Sequence, residues 1–295
     1  MPLRAAKYTE SKMNHIFSKG VEILDLSTAK IMAIINLNAD SFYAASRKQS
    51  EDEVLKAASI AINEGAHILD LGACSSRPGA EIPSATTEWK RLEPALKVIR
   101  KHYPNQLISI DTFRSEIVEK AAAYQIQIVN DISAGSLDPN LWQTVAQHNF
   151  AYAMMHMRGK PKNMQELTSY PNGLLPEIIE YFKLKLHKMS QLGIENCILD
   201  PGFGFAKTVQ QNYELLKNLN ELEQFNLPIL AGVSRKSMLY KPLEITANEA
   251  LNATTAAHMI ALEKGAKILR VHDVKAAAEA IKIYTFAQNP GECYS

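Results

Sequence analysis

The chain has 295 residues, 46% hydrophobic and 21% charged, which suits a folded protein with an ample core. Its 32 Lys and Arg nearly balance 31 Asp and Glu, so no overall field draws in nucleic acid or an anionic membrane, and any anion must be held locally. The three cysteines lack close spacing, which argues against a disulfide framework or a zinc site and fits a reducing, cytoplasmic setting; no apolar run approaches the ~18 residues of a membrane span, and the N-terminus has no secretory core.

In chain order, residues 1–19 are expected to form an N-terminal extension, and residues 20–26 alternate and could form a short hairpin. Short apolar, β-rich runs then recur at 30–36, 67–71, 107–111, 126–130, 151–156, 196–200, 228–232 and 267–272, each followed by a helical pattern. Ser50 with Glu53 and Thr246 with Glu249 fit capping boxes, and Gly65, Gly193 and Gly265 stand where a helix needs a left-handed C-terminal cap. Residues 64–70 and 264–270 resemble each other as helix–Gly–strand units, and 160–173 has no clear period and is expected to be a long loop. Eight strands alternating with helices, with no linker between them, predict one α/β domain, a (β/α)8 TIM barrel whose bottom the hairpin closes. An open doubly wound sheet fits less well, because no G-x-G-x-x-G follows the first strand.

One predicted strand after another ends in a polar residue: Asn36, Asp111, Asn130, Asp200, then Arg270 and His272, with Ser75-Ser76-Arg77 and Ser234-Arg235-Lys236-Ser237 following two others. A single terminal Asp or Asn is usually a helix cap, but several converging on the C-terminal mouth of a barrel point to a shared site. Carboxylates accept only, so Asp111 and Asp200, with Asn130, suit the N–H donors of a flat heterocycle such as a 2-aminopyrimidinone. Arg77, Arg270 and His272 suit phosphate oxygens, although Arg270 could equally pair with a neighbouring carboxylate. Asn36 is a plausible oxygen ligand for Mg2+, which keeps several waters and binds partly through substrate phosphates. Met155 could floor a flat ring, and the glycine-bearing turn after Asp200 could set Phe205 against a substrate ring. His156 reads as a satisfied interior histidine and Cys74 as a cysteine in an exposed loop with no base beside it.

The segments IMAIINLNADSF, LDLGACSSRPGA, ISIDTFRSE, IVNDISAG, MMHMRGKP, ILDPGFGF, GVSRKSM and RVHD, in this order from about residue 20 to 283, resemble dihydropteroate synthase. The resemblance implies a (β/α)8 homodimer that condenses 7,8-dihydropterin-6-ylmethyl diphosphate with p-aminobenzoate in folate synthesis, releasing diphosphate. It implies C–O cleavage ahead of amine attack, Mg2+ on Asn36, and a p-aminobenzoate site that sulfonamides occupy. By motif, Asp111, Asn130, Met155, Asp200 and Lys236 would hold the pterin, and Arg77, Arg270 and His272 the diphosphate. Ser76, Pro78, Phe205 and Ser237 would border p-aminobenzoate, with Asp111, Lys236, Arg77 and Asp40 nearest the chemistry. The first loop departs from the family pattern: Asn38 and Ala39 replace Thr-Pro, and Ala44 replaces an aspartate. In the second, Cys74 and Ser76 replace Glu and Thr. The nearest rival is a corrinoid-dependent methyltransferase barrel, which handles a pterin but no diphosphate; a catalytically silent pterin-binding barrel is the other.

Overall fold

The computed structural model describes residues 14–37, 47–74 and 82–292. A two-stranded antiparallel hairpin, β1 (His15–Ser18) and β2 (Val21–Asp25), precedes eight parallel strands. These are β3 (Lys30–Asn36), β4 (Ile68–Gly72), β5 (Leu107–Asp111), β6 (Ile128–Asp131), β7 (Ala151–Met155), β8 (Cys197–Asp200), β9 (Ile229–Ala231) and β10 (Ala266–Val271). They close in sequence order, β10 pairing with β3 at the seam. The helices between them are α1 (Arg47–Asn63), α2 (Ala85–His102), α3 (Ser115–Ala122), α4 (Leu141–His148), α5 (Leu174–Gln191), α6 (Val209–Lys217), α7 (Ser237–Tyr240) and α8 (Leu251–Glu263), with α9 (Val274–Gln288) after β10. This is the TIM barrel that the alternating pattern predicts. The hairpin is also as expected, except that its first arm lies in the stretch assigned to an N-terminal extension. Residues 160–173 are loop apart from a single 3-10 turn at Met164–Glu166.

Two local expectations have different outcomes. The Thr246–Glu249 capping box forms with both of its hydrogen bonds, and Gly65, Gly193 and Gly265 all adopt positive φ. The box expected at Ser50 does not start a helix, because α1 begins at Arg47 and Ser50 lies inside it. Helix formers precede Ser50, so the helix extends upstream past the capping signal.

Strand side chains alternate between two faces, and here that period separates structure from function. Outward residues such as Ile31, Leu69, Ile110, Val129, Leu199 and Leu269 are fully buried against the helices. Inward residues fall into layers. The lower layer is apolar: Met32, Ile68, Ile128, Ile198, Leu230 and Ile268 pack together, and Ile16 and Leu26 of the hairpin region seal them from below. Two residues further along the same strands the inward set changes to Asp70, Asn130, Asp200 and Arg270. No helix among the described residues is long and apolar enough to cross a membrane.

Candidate active site

The polar layer is one connected network. Arg270 Nε donates to Asp70 Oδ2 at 2.7 Å and Arg270 Nη2 to Asp111 Oδ2 at 2.7 Å, so one guanidinium bridges carboxylates on β4 and β5. Asn130 Nδ2 donates to the same Asp70 oxygen at 3.1 Å, which turns the Asn130 carbonyl oxygen away from Asp70. Asp200 accepts from the Gly202 N–H at 2.8 Å. Lys236 extends from the turn after β9, its Nζ 4.3 Å from the centre of the Phe205 ring. A pocket above this layer is lined by Asn130, Asp200, Lys236 and Arg270 on its polar side and by Ile132, Met155 and Phe205 on its apolar side.

Burial sets the charge states. Desolvation, opposed by Arg270 and reinforced by Asp70, pushes Asp111 up to about 7. Desolvation also raises Asp200 against the Gly202 hydrogen bond and Lys236. It pushes Lys236 down to about 8 and the fully buried Lys207 down to about 7, both against the pull of Asp200. His272 lies just past β10, its Nδ1 3.0 Å from Ser234 Oγ. Partial desolvation and the Arg270 charge push it down to about 4, so at neutral pH it is an uncharged imidazole.

Of the residues expected at the site, Asp111, Asn130, Met155, Asp200, Phe205, Lys236 and Arg270 do meet here. Asn36 is exposed at the end of β3, paired in register with Gly72, and Ser237 opens the short helix α7. Asp40, Ser76, Arg77 and Pro78 lie outside the described residues. Two expectations need refining. Arg270 is not a bare anion-binding cation: two carboxylates already hold it, and the alternative of a neighbouring carboxylate partner is realised alongside its place in the pocket. In the Ser-Arg-Lys-Ser run, Arg235 is turned away from the pocket by a left-handed backbone (φ 52°), and its guanidinium binds Asp273 twice at 2.8 Å. Asp131, adjacent to Asn130, faces outward and accepts from Ser133, Gly135 and Tyr152, so there the ordinary loop-organising role is correct.

Three groups of residues escaped the sequence reading: a lone aspartate, an ion pair and a lysine. Asp70 anchors Arg270 and Asn130; its signal was an aspartate flanked by leucines inside a buried strand. Glu88 and Arg114 form a buried ion pair, and Arg114 also donates to the Pro83 carbonyl at 2.6 Å and approaches Cys74 Sγ at 3.9 Å, holding both flanks of residues 75–81. Cys74 is therefore more enclosed than expected. Desolvation and Glu88 push its thiol far up, so it has no nucleophilic character. Lys207 is the third.

The sequence profile of the family described as "Pterin binding enzyme" matches residues 32–272. Dihydropteroate synthase of Escherichia coli K12 is 38% identical over 270 residues, covering 91% of this chain and 94% of that protein. The chain belongs to the dihydropteroate synthase family. The Haemophilus influenzae member is 37% identical over 268 residues, 90% of this chain and 96% of its own. Among solved structures, Yersinia pestis dihydropteroate synthase in a sulfonamide complex superposes with a TM-score of 0.86 at 33% identity, covering 93% of this chain and 99% of that one. The Xanthomonas albilineans enzyme with 4-aminobenzoic acid gives 0.85 at 27% identity over 94% of this chain and 99% of its own.

The turn after β8 is the least forgiving part of this synthase-family site. Gly202 has φ 71°, and a Cβ there would overlap the His156 carbonyl oxygen and press on Met155. Gly202→Ala is expected to cost about 3 kcal/mol of stability, combining backbone strain with a displaced strand end. Urea unfolding would check it; a loss under about 1 kcal/mol would mean the turn relocates freely.

Proposed function

We propose that this chain is a dihydropteroate synthase in activity as well as family. It would condense 7,8-dihydropterin-6-ylmethyl diphosphate with p-aminobenzoate to 7,8-dihydropteroate and diphosphate, in the cytoplasm, for folate synthesis. The observation that carries this reading is the stacking of two chemistries in one well. Acceptors Asp111, Asn130 and Asp200 lie deep, and the cationic or proton-binding groups Lys236, Arg270 and His272 surround them and the rim.

In this reading the ring's N–H donors meet Asp111 and Asp200 and draw both toward the ionised form, while Met155 packs on its face. Lys236 supplies a donor to a ring acceptor. His272, uncharged at rest, takes up a proton as the diphosphate arrives, and Arg270 and Arg77 join it in stabilising charge on the leaving group. Cleavage of the C–O bond precedes attack by the amine, because the carboxylates beside the ring tolerate positive charge on its methylene and no nucleophilic side chain is needed. Ser76, Pro78, Phe205 and Ser237 would border p-aminobenzoate, with Asp40 near the reacting centre. Asn36 is a neutral hard oxygen donor at the mouth, and no cluster of three His, Cys, Asp or Glu suited to a metal occurs among the described residues. That donor set fits Mg2+ held by Asn36, substrate phosphate and water, where it would neutralise phosphate charge. Diphosphate release by the purified chain, measured with both substrates and Mg2+, tests the proposal; release that ignores p-aminobenzoate would sink it.

A second copy is the partner we propose. Tyr213, Leu243 and Ile260 are 42%, 57% and 46% exposed and line one apolar groove with Leu239 and Ala256, between α6, α7 and α8. Ile260→Asp is expected to convert a dimer into monomers in light-scattering chromatography; a monomeric parent chain would refute the interface.

A further inference from the structure

We propose that Lys207 is a positioning residue: its buried ammonium gathers the carbonyls of the turn after β8 and so fixes the Phe205 wall that meets p-aminobenzoate. The inference rests on the function proposed above and assigns a role to a residue outside the pocket itself.

Lys207 is only 3% exposed. A buried lysine normally pairs with a carboxylate, but its hydrogen-bond partners here are neutral. Nζ donates to the Gly202 carbonyl at 3.0 Å and the Phe205 carbonyl at 3.1 Å, and lies 3.0 Å from His156 Nδ1. In its ammonium form, which burial confines to below about pH 7, Nζ has three N–H donors, and these three acceptors saturate it. His156 Nδ1 can accept only as a neutral ring, and burial with the Lys207 charge holds His156 well below its ordinary range, so the pairing is consistent. The His156 ring is itself fixed edge-on against Tyr181, with centres 4.8 Å apart.

The turn needs such a clamp. Gly202, Gly204 and Ala206 have φ of 71°, 80° and 51°, three left-handed residues within five. Alternating handedness of this kind curls the chain and brings the carbonyls of residues 202 and 205 to one side, where Lys207 waits. From outside, Asn212 Oδ1 accepts from the Gly204 N–H at 2.6 Å and Gln165 Nε2 donates to the Gly204 carbonyl at 3.0 Å. Held from both sides, the turn presents Phe205 to the pocket opposite Lys236. Lys207 does not line the pocket, and its Nζ is turned to the backbone carbonyls of the turn and to His156. It therefore acts through Phe205.

Of the proposed pterin contacts, Asp111 and Asn130 sit on β5 and β6, away from this turn, and Asp200 ends β8 ahead of it, so loosening the clamp should fall mainly on Phe205 and separate the two substrates. In steady-state diphosphate release by the full chain, Lys207→Met is expected to raise the KM for p-aminobenzoate at least about tenfold, while the KM for the pterin diphosphate stays within about twofold. Lys207→Gln, which keeps an amide donor, should give a smaller rise with the same split. An unchanged p-aminobenzoate KM in a folded variant would overturn the proposal, and so would an equal rise in both KM values. Failure of both variants to fold would also overturn it, by making Lys207 a determinant of the fold. The parent chain is assayed first: if it shows no p-aminobenzoate-dependent release, it is the reaction that fails, not the clamp.

Discussion

Asp200→Asn is expected to weaken pterin diphosphate binding by on the order of 100-fold, corresponding to about 3 kcal/mol. The size follows from a constraint that the substitution cannot escape. Asp200 Oδ1 accepts from the Gly202 N–H at 2.8 Å, inside a turn that is itself held on both sides. An asparagine would keep its carbonyl oxygen on that N–H, because the reverse orientation sets donor against donor. Its NH2 would then face the pocket, where the pterin edge also presents donors. The variant loses a charge-assisted acceptor and gains a repulsive contact, with little change in shape. Calorimetric titration with the pterin diphosphate gives the affinity, and urea midpoints show whether the fold is intact. Affinity within threefold of the parent would remove Asp200 from the ring's contacts.

Arg270→Met is expected to destabilise the unliganded protein by about 3–5 kcal/mol at pH 8, the usual cost of leaving buried carboxylates without their counter-charge. The arginine bridges Asp70, fully buried, and Asp111. The loss depends on pH with a definite sign. Asp111 is already raised to about 7 with Arg270 in place, so the folded state holds a proton there that the unfolded chain has lost above about pH 4. Stability from this group therefore falls as pH rises from about 4 to 7. Removing Arg270 takes away the main influence holding Asp111 down, so the falling limb extends to higher pH. At pH 5 Asp111 is protonated with or without the arginine, and the deficit should be smaller than at pH 8. Denaturant unfolding at the two pH values checks this; an equal deficit at both would mean that Asp111 does not carry the coupling.

The strands of this barrel were legible because parallel strands covered on both faces read as short apolar runs, and β3 and β5 match their expected bounds. The site was legible in part for the same reason: a polar residue ending an apolar run marks the mouth. What the sequence concealed is partner choice across the barrel. Arg270 reaches Asp70 and Asp111 only because closure brings β10, β4 and β5 around one axis, and no local pattern encodes that. Lys207 was invisible for another reason. A lysine after a glycine-rich turn looks like any solvated lysine until the three left-handed residues before it are known to curl inward. Arg235 shows the reverse case: it sits in the same basic run as Lys236, but its backbone turns it outward to Asp273 while Lys236 faces the pocket.

The apolar floor beneath the polar layer has a kinetic consequence. Met32, Ile68, Ile128, Ile198, Leu230 and Ile268, with Ile16 and Leu26 packed beneath them, close the lower end of the barrel among the described residues. A vessel with one opening fills from the bottom and empties from the top. On the function proposed above, whatever rests on Asp111, Asn130 and Asp200 would enter before its rim-bound partner and leave after it. Queueing of this kind needs no moving lid. It follows from six aliphatic side chains that touch no ligand.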